Sequence, residues 1–302
     1  MNFSDYTLVA FGDSFTFGDG LYAWDKEKEL AQDYRLKCNK RAYVAKLQKR
    51  LRFKSSLNLA VMGCSLSRMY YNMQRFIEYN DTSEIFFVIG LPFPERQFTI
   101  SRYTSKDNSI TQNLPMDYWY GNINFDKRNF GMMSDTANLN SKWWDHYYAY
   151  FINKQIIVYE HINLMKAILK LLQGKKYLIF DSTNDLPYRL HNKKFIKELD
   201  IFDNYPLEGQ TNGYNYPTFQ TIIEDYKLMI SENKNYINFL NNGFQVDSHP
   251  NRTVKHMDEY VKTYSEMERR AKHIPDGHWN EDGHRLVSHF LEQQIRKEFK
   301  ND

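Results

Sequence analysis

The segment Tyr6 to Leu21, YTLVAFGDSFTFGDGL, constrains the fold of this chain most, because an apolar run breaks at once into Gly12-Asp13-Ser14 and then into residues with helix-start character. Leu8, Val9, Ala10 and Phe11 form a short continuous apolar stretch, which suits a strand buried on both faces of a parallel sheet better than an alternating surface strand. Gly12 lets the backbone turn, and Ser14 falls where the strand ends. Open α/β sheets place ligands outside the carboxyl ends of their strands. A hydroxyl at that edge, facing unpaired helix N–H groups, is well placed to attack. The same residues admit a plainer reading, in which Asp13-Ser14 only caps the helix that follows.

A second stretch far downstream, Pro275 to Val287 (PDGHWNEDGHRLV), places Asp276 and His278 two residues apart before an amphipathic segment. That segment, Glu281 to Phe299, carries Leu286, Val287, Phe290, Leu291 and Ile295 at helical spacing. A loop at the start of a closing helix is a natural place to present an imidazole, whose ordinary pKa of about 6.5 lets it take a proton from a serine and return it. A nearby carboxylate would orient the ring and stabilise its charged form. Asp-Gly-His alone is an ordinary turn; it gains meaning together with the first stretch.

These residues resemble the SGNH, or GDSL, hydrolase family. The family's first block, Gly-Asp-Ser after the first strand, is matched by Gly12, Asp13 and Ser14, and its last block by His278, Asn280 and Gly283. Between them Asn58 to Ser65, NLAVMGCS, is similar to the second block, in which a glycine donates its backbone N–H to an oxyanion; Gly63 holds that position. The resemblance implies a three-layer α/β/α, flavodoxin-like fold around a mainly parallel sheet of about five strands. It implies Ser14 as nucleophile, His278 as general base and then acid, and Asp276 as the residue that orients His278. Gly63, Arg96 and Asp13 are the expected oxyanion and substrate-binding residues, the N–H groups of Ser14 and Gly63 holding the oxyanion, and no cofactor is called for.

Two departures bear on the chemistry. The family's third block is Gly-x-Asn-Asp, whose Asn supplies a further oxyanion donor, but here the matching strand runs into Gly90-Leu91-Pro92-Phe93-Pro94-Glu95-Arg96. Pro92 stands where the Asn would be and donates no hydrogen bond from side chain or backbone. Loss of one such donor costs about 2.7–4 kcal/mol of transition-state stabilisation. Arg96, just beyond the strand, is the candidate to take over part of that role, its alternative being a surface ion pair. The second departure is Asp276, which stands two residues before the His in place of the family's usual three. Asp-x-His followed by Trp-Asn is similar to polysaccharide O-acetyltransferases of the same superfold, which differ in the final acceptor.

Composition excludes several classes. Forty basic and 37 acidic residues give a formal net charge of +3, too balanced to suggest nucleic acid, and no nucleic-acid motif is present. Lys193, Lys194 and Lys197 read as a solvated helix face. The N-terminus lacks a basic region followed by an apolar one, and no stretch approaches the ~18 apolar residues of a bilayer span. The expectation is a protein without membrane contact, cytoplasmic or associated with a virion or cell surface. Cys38 and Cys64 are too few for a disulfide framework, and Cys64, beside Gly63, reads as a small buried residue rather than a nucleophile.

The remaining chain alternates helix and strand signals within a single domain, residues 1–302. Glu27 to Phe53 is rich in helix formers, Leu57 to Met62 reads as the second strand, Ser67 to Tyr79 as a helix and Ile85 to Leu91 as the third strand. A helix is expected over Tyr147 to Leu172 and a fourth strand over Lys176 to Phe180. Two long inserts interrupt this pattern, at about 97–144 and 184–272. The first lacks a persistent period and is dense in Asn, Ser and aromatics; its Tyr118, Trp119, Tyr120, Trp143 and Trp144 could stack on sugar rings, the alternative being core packing. The second holds a probable helical stretch from Val254 to Lys272, and a fifth strand is expected within Gly243 to Val246 or nearer the last block. His273, Asp276, His278 and His284 fit no common zinc spacing. The expected function is a serine esterase removing O-acetyl or another small acyl group, plausibly from a carbohydrate. A sugar O-acyltransferase and a catalytically weakened glycan-binding protein are the alternatives; oligomeric state is left open.

Overall fold

The computed structural model of the chain describes residues 1–19, 21–22, 31–94, 96–104, 111–119, 131–132, 154–181, 186–193, 196, 219–237, 278–279 and 281–299, with the backbone alone for 96–104, 111–119 and 131–132. Five strands pair in parallel: β1 (Thr7–Phe11), β2 (Ser55–Asn58), β3 (Ile85–Gly90), β7 (Lys176–Phe180) and β8 (Tyr236–Ile237). Their order is β2-β1-β3-β7-β8. This is the 2-1-3-4-5 order of a flavodoxin-like sheet, in which the chain reverses direction between β1 and β3.

Alternation along the strands builds two cores. Val9, Phe11, Phe87, Ile89 and Ile179 face α4 (Leu66–Tyr79), α5 (Lys154–Leu171), α6 (Leu186–Arg189) and α7 (Phe219–Glu232), meeting Met69, Met73, Ile162, Met165, Leu186 and Ile223. Leu8, Ala10, Phe86, Val88, Leu178 and Phe180 face α3 (Tyr43–Leu51) and α8 (Glu281–Glu298), meeting Leu47, Leu51, Val287, Leu291 and Ile295. Each strand face is covered by helices, as continuous apolar strands require, and the result is the expected three-layer α/β/α sandwich.

Several boundaries move. The stretch read as one helix-rich region divides into α2 (Ala31–Arg41) and α3, the second beginning at Tyr43. The second strand is Ser55–Asn58, earlier than its apolar signal, because pairing with β1 starts at Thr7↔Ser55; the apolar residues after it leave the strand but their amides continue the ladder, Leu59 N–H donating to Ala10 O (2.8 Å) and Val61 N–H to Gly12 O (3.0 Å). Among the described residues the fifth strand of the sheet is the edge pair Tyr236–Ile237, too short to leave a period in the sequence, while Gly243 to Val246 and the stretch up to the last block lie outside the described residues. The described part of the first insert is a sheet of three strands. β4 (Arg96–Thr104) and β5 (Thr111–Trp119) pair antiparallel along their whole length, and β6 (Gly131–Met132) adds at Trp119 and Tyr118. Pro115, opposite Ile100, lies outside the stretch of β5 that β6 covers, so its missing N–H interrupts no second ladder. The stretch from Val254 to Lys272 and the aromatic residues Tyr120, Trp143 and Trp144 lie outside the described residues.

One close approach fixes how the turn after β1 sits on the sheet. A Cβ at Gly12 would lie 2.2 Å from Thr16 Oγ1 and 2.9 Å from Gly90 O, and one at Gly90 would lie 2.5 Å from Thr16 Oγ1 and 3.1 Å from Phe180 Cζ. Gly90→Ala is therefore expected to overpack this corner and cost about 1–3 kcal/mol, read as a lower urea midpoint at unchanged slope.

Candidate active site

Ser14 opens the four-residue helix α1 (Ser14–Phe17) at the carboxyl edge of β1, beside the point where the sheet order reverses. Asp13 takes the capping role, its Oδ1 accepting from Phe15 N–H at 3.1 Å. A carboxylate in that position accepts hydrogen bonds and offers no donor to an oxyanion. The helix stops at Gly18, whose φ of 87° is the left-handed conformation that glycine adopts without a steric penalty. Gly18 N–H and Asp19 N–H both donate to Ser14 O at 3.0 Å, so the chain folds back over its own first turn. Ser14 is fully buried, and its hydroxyl meets no hydrogen-bonding partner among the described residues. An orphaned buried hydroxyl costs about 1–3 kcal/mol, which marks the position as one where stability has been given up.

The loop after β2 is stitched to this turn. Asn58 Nδ2 donates to Thr16 O (2.9 Å), and its Oδ1 accepts from Ala60 N–H (3.2 Å). Arg35, from α2, donates to the carbonyls of Asn58 and Ala60, each at 2.9 Å, while its guanidinium stands over the Phe17 ring. Gly63 follows with φ 68°, and Ser65 then caps α4 by accepting from Arg68 N–H at 3.3 Å. Cys64 is buried against the core on the α4 face. Beyond β3, Leu91 N–H donates to Phe180 O (2.9 Å) and Pro92 is buried, so the third-block position holds no donor. Arg96 opens β4 opposite Trp119; its side chain lies outside the described residues.

His278 reaches the same corner from the other end of the chain. Its ring lies 4.8 Å from that of Phe15, the residue after Ser14, and its Nε2 stands 4.0 Å from Asp19 Oδ2. Trp279, 2% exposed, wedges edge-on against Phe15 at 5.1 Å and anchors the imidazole's backbone in the core. Helix α8 is fixed on α3 by Lys46 to Glu281 (3.1 Å) and Arg50 to Glu292 (3.0 Å). His284 adds a buried tie: its Nδ1 accepts from Tyr43 N–H at 3.1 Å, supplying an acceptor at the start of α3 where the Ala42 side chain has none to offer. Burial first, and then Lys46 and His278, push the His284 imidazole down to about 3, so it stays neutral. One ring nitrogen is thus already occupied, and among the described residues no group of three His, Cys, Asp or Glu could hold a metal. Asp276, Asn280 and His273 lie outside the described residues.

A Gly-Asp-Ser turn after β1, a glycine loop after β2 and a histidine before the last helix thus meet one edge of a 2-1-3-4-5 sheet. The fold is a flavodoxin-like α/β/α sandwich. No family model and no curated protein matches the sequence. Among solved structures, the chain is similar to a member of the lipolytic G-D-S-L family from Veillonella parvula DSM 2008, at 14% identity and a TM-score of 0.36, covering 98% of this chain and 100% of that one. It is also similar to a carbohydrate esterase described as having divergent catalytic and non-catalytic binding functions, at 11% identity and a TM-score of 0.39, covering 97% of this chain and 65% of the other. Among the described residues no helix is long and apolar enough to cross a membrane.

Asn58, Arg35, Asp19 and His284 hold this corner together without a motif to announce them. Asp19 did leave a trace, since Gly18-Asp19 repeats the Gly12-Asp13 pair that opens the turn. Ser14→Ala removes the orphaned hydroxyl and is expected to raise unfolding stability by about 1 kcal/mol, measured by urea denaturation. His284 and the buried His161, also pushed down to about 3 by burial, stay neutral in the fold while the unfolded chain takes up protons. Unfolding is then favoured as pH falls from about 6.5 toward 3, with stability fully present above that window. His284→Asn, which keeps an acceptor for Tyr43 N–H, should flatten this slope in urea titrations at pH 7.5 and 5.

Proposed function

We propose that the chain is a serine esterase that removes O-acetyl or another small acyl group, with a carbohydrate ester as its substrate class. The observation that carries this reading is the buried hydroxyl of Ser14 at the carboxyl edge of the sheet, without a partner among the described residues, at the corner reached by an imidazole from the loop before the last helix. Ser14 Oγ bonds to the ester carbonyl carbon as its proton passes to His278. The N–H groups of Ser14 and Gly63 are the candidates to hold the tetrahedral oxyanion, Gly63 lying in the loop after β2 with a left-handed φ of 68°. Collapse breaks the ester C–O bond, and the leaving alcohol takes the proton from His278. Water then attacks acyl-Ser14, giving its proton to His278; release of the carboxylic acid returns that proton to Ser14. Asp276, two residues before the imidazole, is the sequence's candidate to orient it.

The carbohydrate part rests on the family resemblance and on the Tyr- and Trp-rich first insert. A sugar hydroxyl in place of water in the second step would make the protein an acyltransferase, and faster acetyl transfer to a sugar than to water would reveal it. Pro92 favours a further reading, a glycan-binding protein with a weakened site, because it removes one oxyanion donor.

A fluorophosphonate probe tests the serine directly. Intact-mass analysis and peptide mapping should show a single adduct on Ser14, absent in Ser14→Ala and reduced by about 10²-fold or more in rate in His278→Ala. No adduct on folded wild-type protein overturns the esterase reading and leaves glycan binding.

A further inference from the structure

We propose that Asp19 is a positioning residue for His278, a carboxylate that holds the imidazole over the Ser14 turn and stabilises it while it carries the serine proton. This rests on the esterase reading above and adds a residue to its machinery from an unexpected part of the chain. Asp276 lies on the same loop as the histidine, whereas Asp19 belongs to the turn that carries the nucleophile.

The geometry follows from the way α1 ends. After a single helical turn Gly18 enters the left-handed region, and Asp19 N–H bonds to Ser14 O at 3.0 Å, so the Asp19 backbone is fixed to the nucleophile's own peptide. A Cβ at Gly18 would lie 3.0 Å from both Ala42 Cβ and Leu21 Cδ1, so the reversal is packed as well as bonded. The two carboxylate oxygens face different neighbours. Tyr34 OH donates to Oδ1 at 2.5 Å, and Oδ2 faces His278 Nε2 at 4.0 Å. Tyr34 is 2% exposed and lies 6.0 Å from the Phe17 ring, which holds the first of these contacts in place. Burial, together with the Asp19 carboxylate, pushes the Tyr34 phenol well above its ordinary range, so it remains a donor.

On its other side the imidazole meets the Phe15 ring at 4.8 Å. The side chains of His278 and Asp19 are 13% and 21% exposed, so solvent screens their attraction far less than it would a surface pair. A carboxylate at that separation can orient the ring and face the charge that develops on it during proton transfer without accepting the proton, as an orienting acid does in a serine hydrolase. Tyr34, Asp19 and His278 form a short relay of fixed dipole, charge and base. Its two ends come from α2 and the last loop, and its middle is bonded to Ser14.

The test separates maximal acylation rate (kinact) from probe affinity (KI) for fluorophosphonate labelling of full-length protein. Asp19→Asn keeps an oxygen for Tyr34 OH while removing the charge. It should lower kinact about 10- to 100-fold with KI and the thermal midpoint unchanged, and Asp19→Glu should recover part of the loss. A purely structural role predicts a raised KI or a lowered midpoint with kinact intact, and that result overturns the proposal. Tyr34→Phe, which leaves the charge but removes the Tyr34 donor from Oδ1, should lower kinact several-fold; if Asp19→Asn fails to fold, a wild-type kinact in Tyr34→Phe overturns the proposal instead. Where wild type labels, His278→Ala does not and Asp19→Asn keeps the wild-type kinact, Asp19 is excluded and the esterase reading stands, with Asp276→Asn expected to carry the loss. No labelling of folded wild type removes both.

Discussion

The candidate site depends on the contact between the turn after β1 and the end of β3. Gly12 and Gly90 leave room for Thr16, which no side chain at either position would allow. Thr16 then becomes a junction: its carbonyl accepts from Asn58 of β2, and its hydroxyl lies 3.4 Å from Tyr43 OH of α3. Two neighbouring strands and one helix are referred to a single residue two positions from Ser14. Preorganisation here is a matter of packing, because groups seated on rigid elements and locked by their neighbours need no rearrangement when charge develops.

Much of this was legible because parallel strands are written as unbroken apolar runs. LVAF, IFFVIG and YLIF lie within strands β1, β3 and β7, and the last helix was visible from the spacing of Leu286, Val287, Phe290, Leu291 and Ile295. Ser14 and His278 were legible as motifs, and they do approach one corner. What stayed hidden has little periodic or local signal. A two-residue edge strand carries no period, and the hairpin β4-β5 is polar enough on its face to read as irregular. Asn58, Arg35 and Asp19 act through backbone groups or partners far away in sequence, and polar residues in loops look alike until their partners are known. His284 carried no signal of its role in the sequence, where its spacing fitted no common zinc site; its ring accepts a backbone hydrogen bond.

The polar groups under this corner are of two kinds. His284 has an assigned bond at Nδ1 and a strongly favoured neutral state, so it behaves as part of the scaffold. Ser14 has no exposure and no partner among the described residues, so it behaves as a group kept for something that is not in the fold itself. The contrast separates support from reactivity better than burial does, since both side chains are fully enclosed.

The tie between Tyr43 N–H and His284 also sets a timetable. It joins positions 241 residues apart, and His278 arrives with the same helix. During synthesis at about 5–20 residues per second, the serine turn and its two neighbouring strands leave the ribosome tens of seconds before that helix exists. For that interval the α3 face of the sheet has no α8 to cover it, and the final helix then brings both its apolar face and His278 to the Ser14 corner in one docking step.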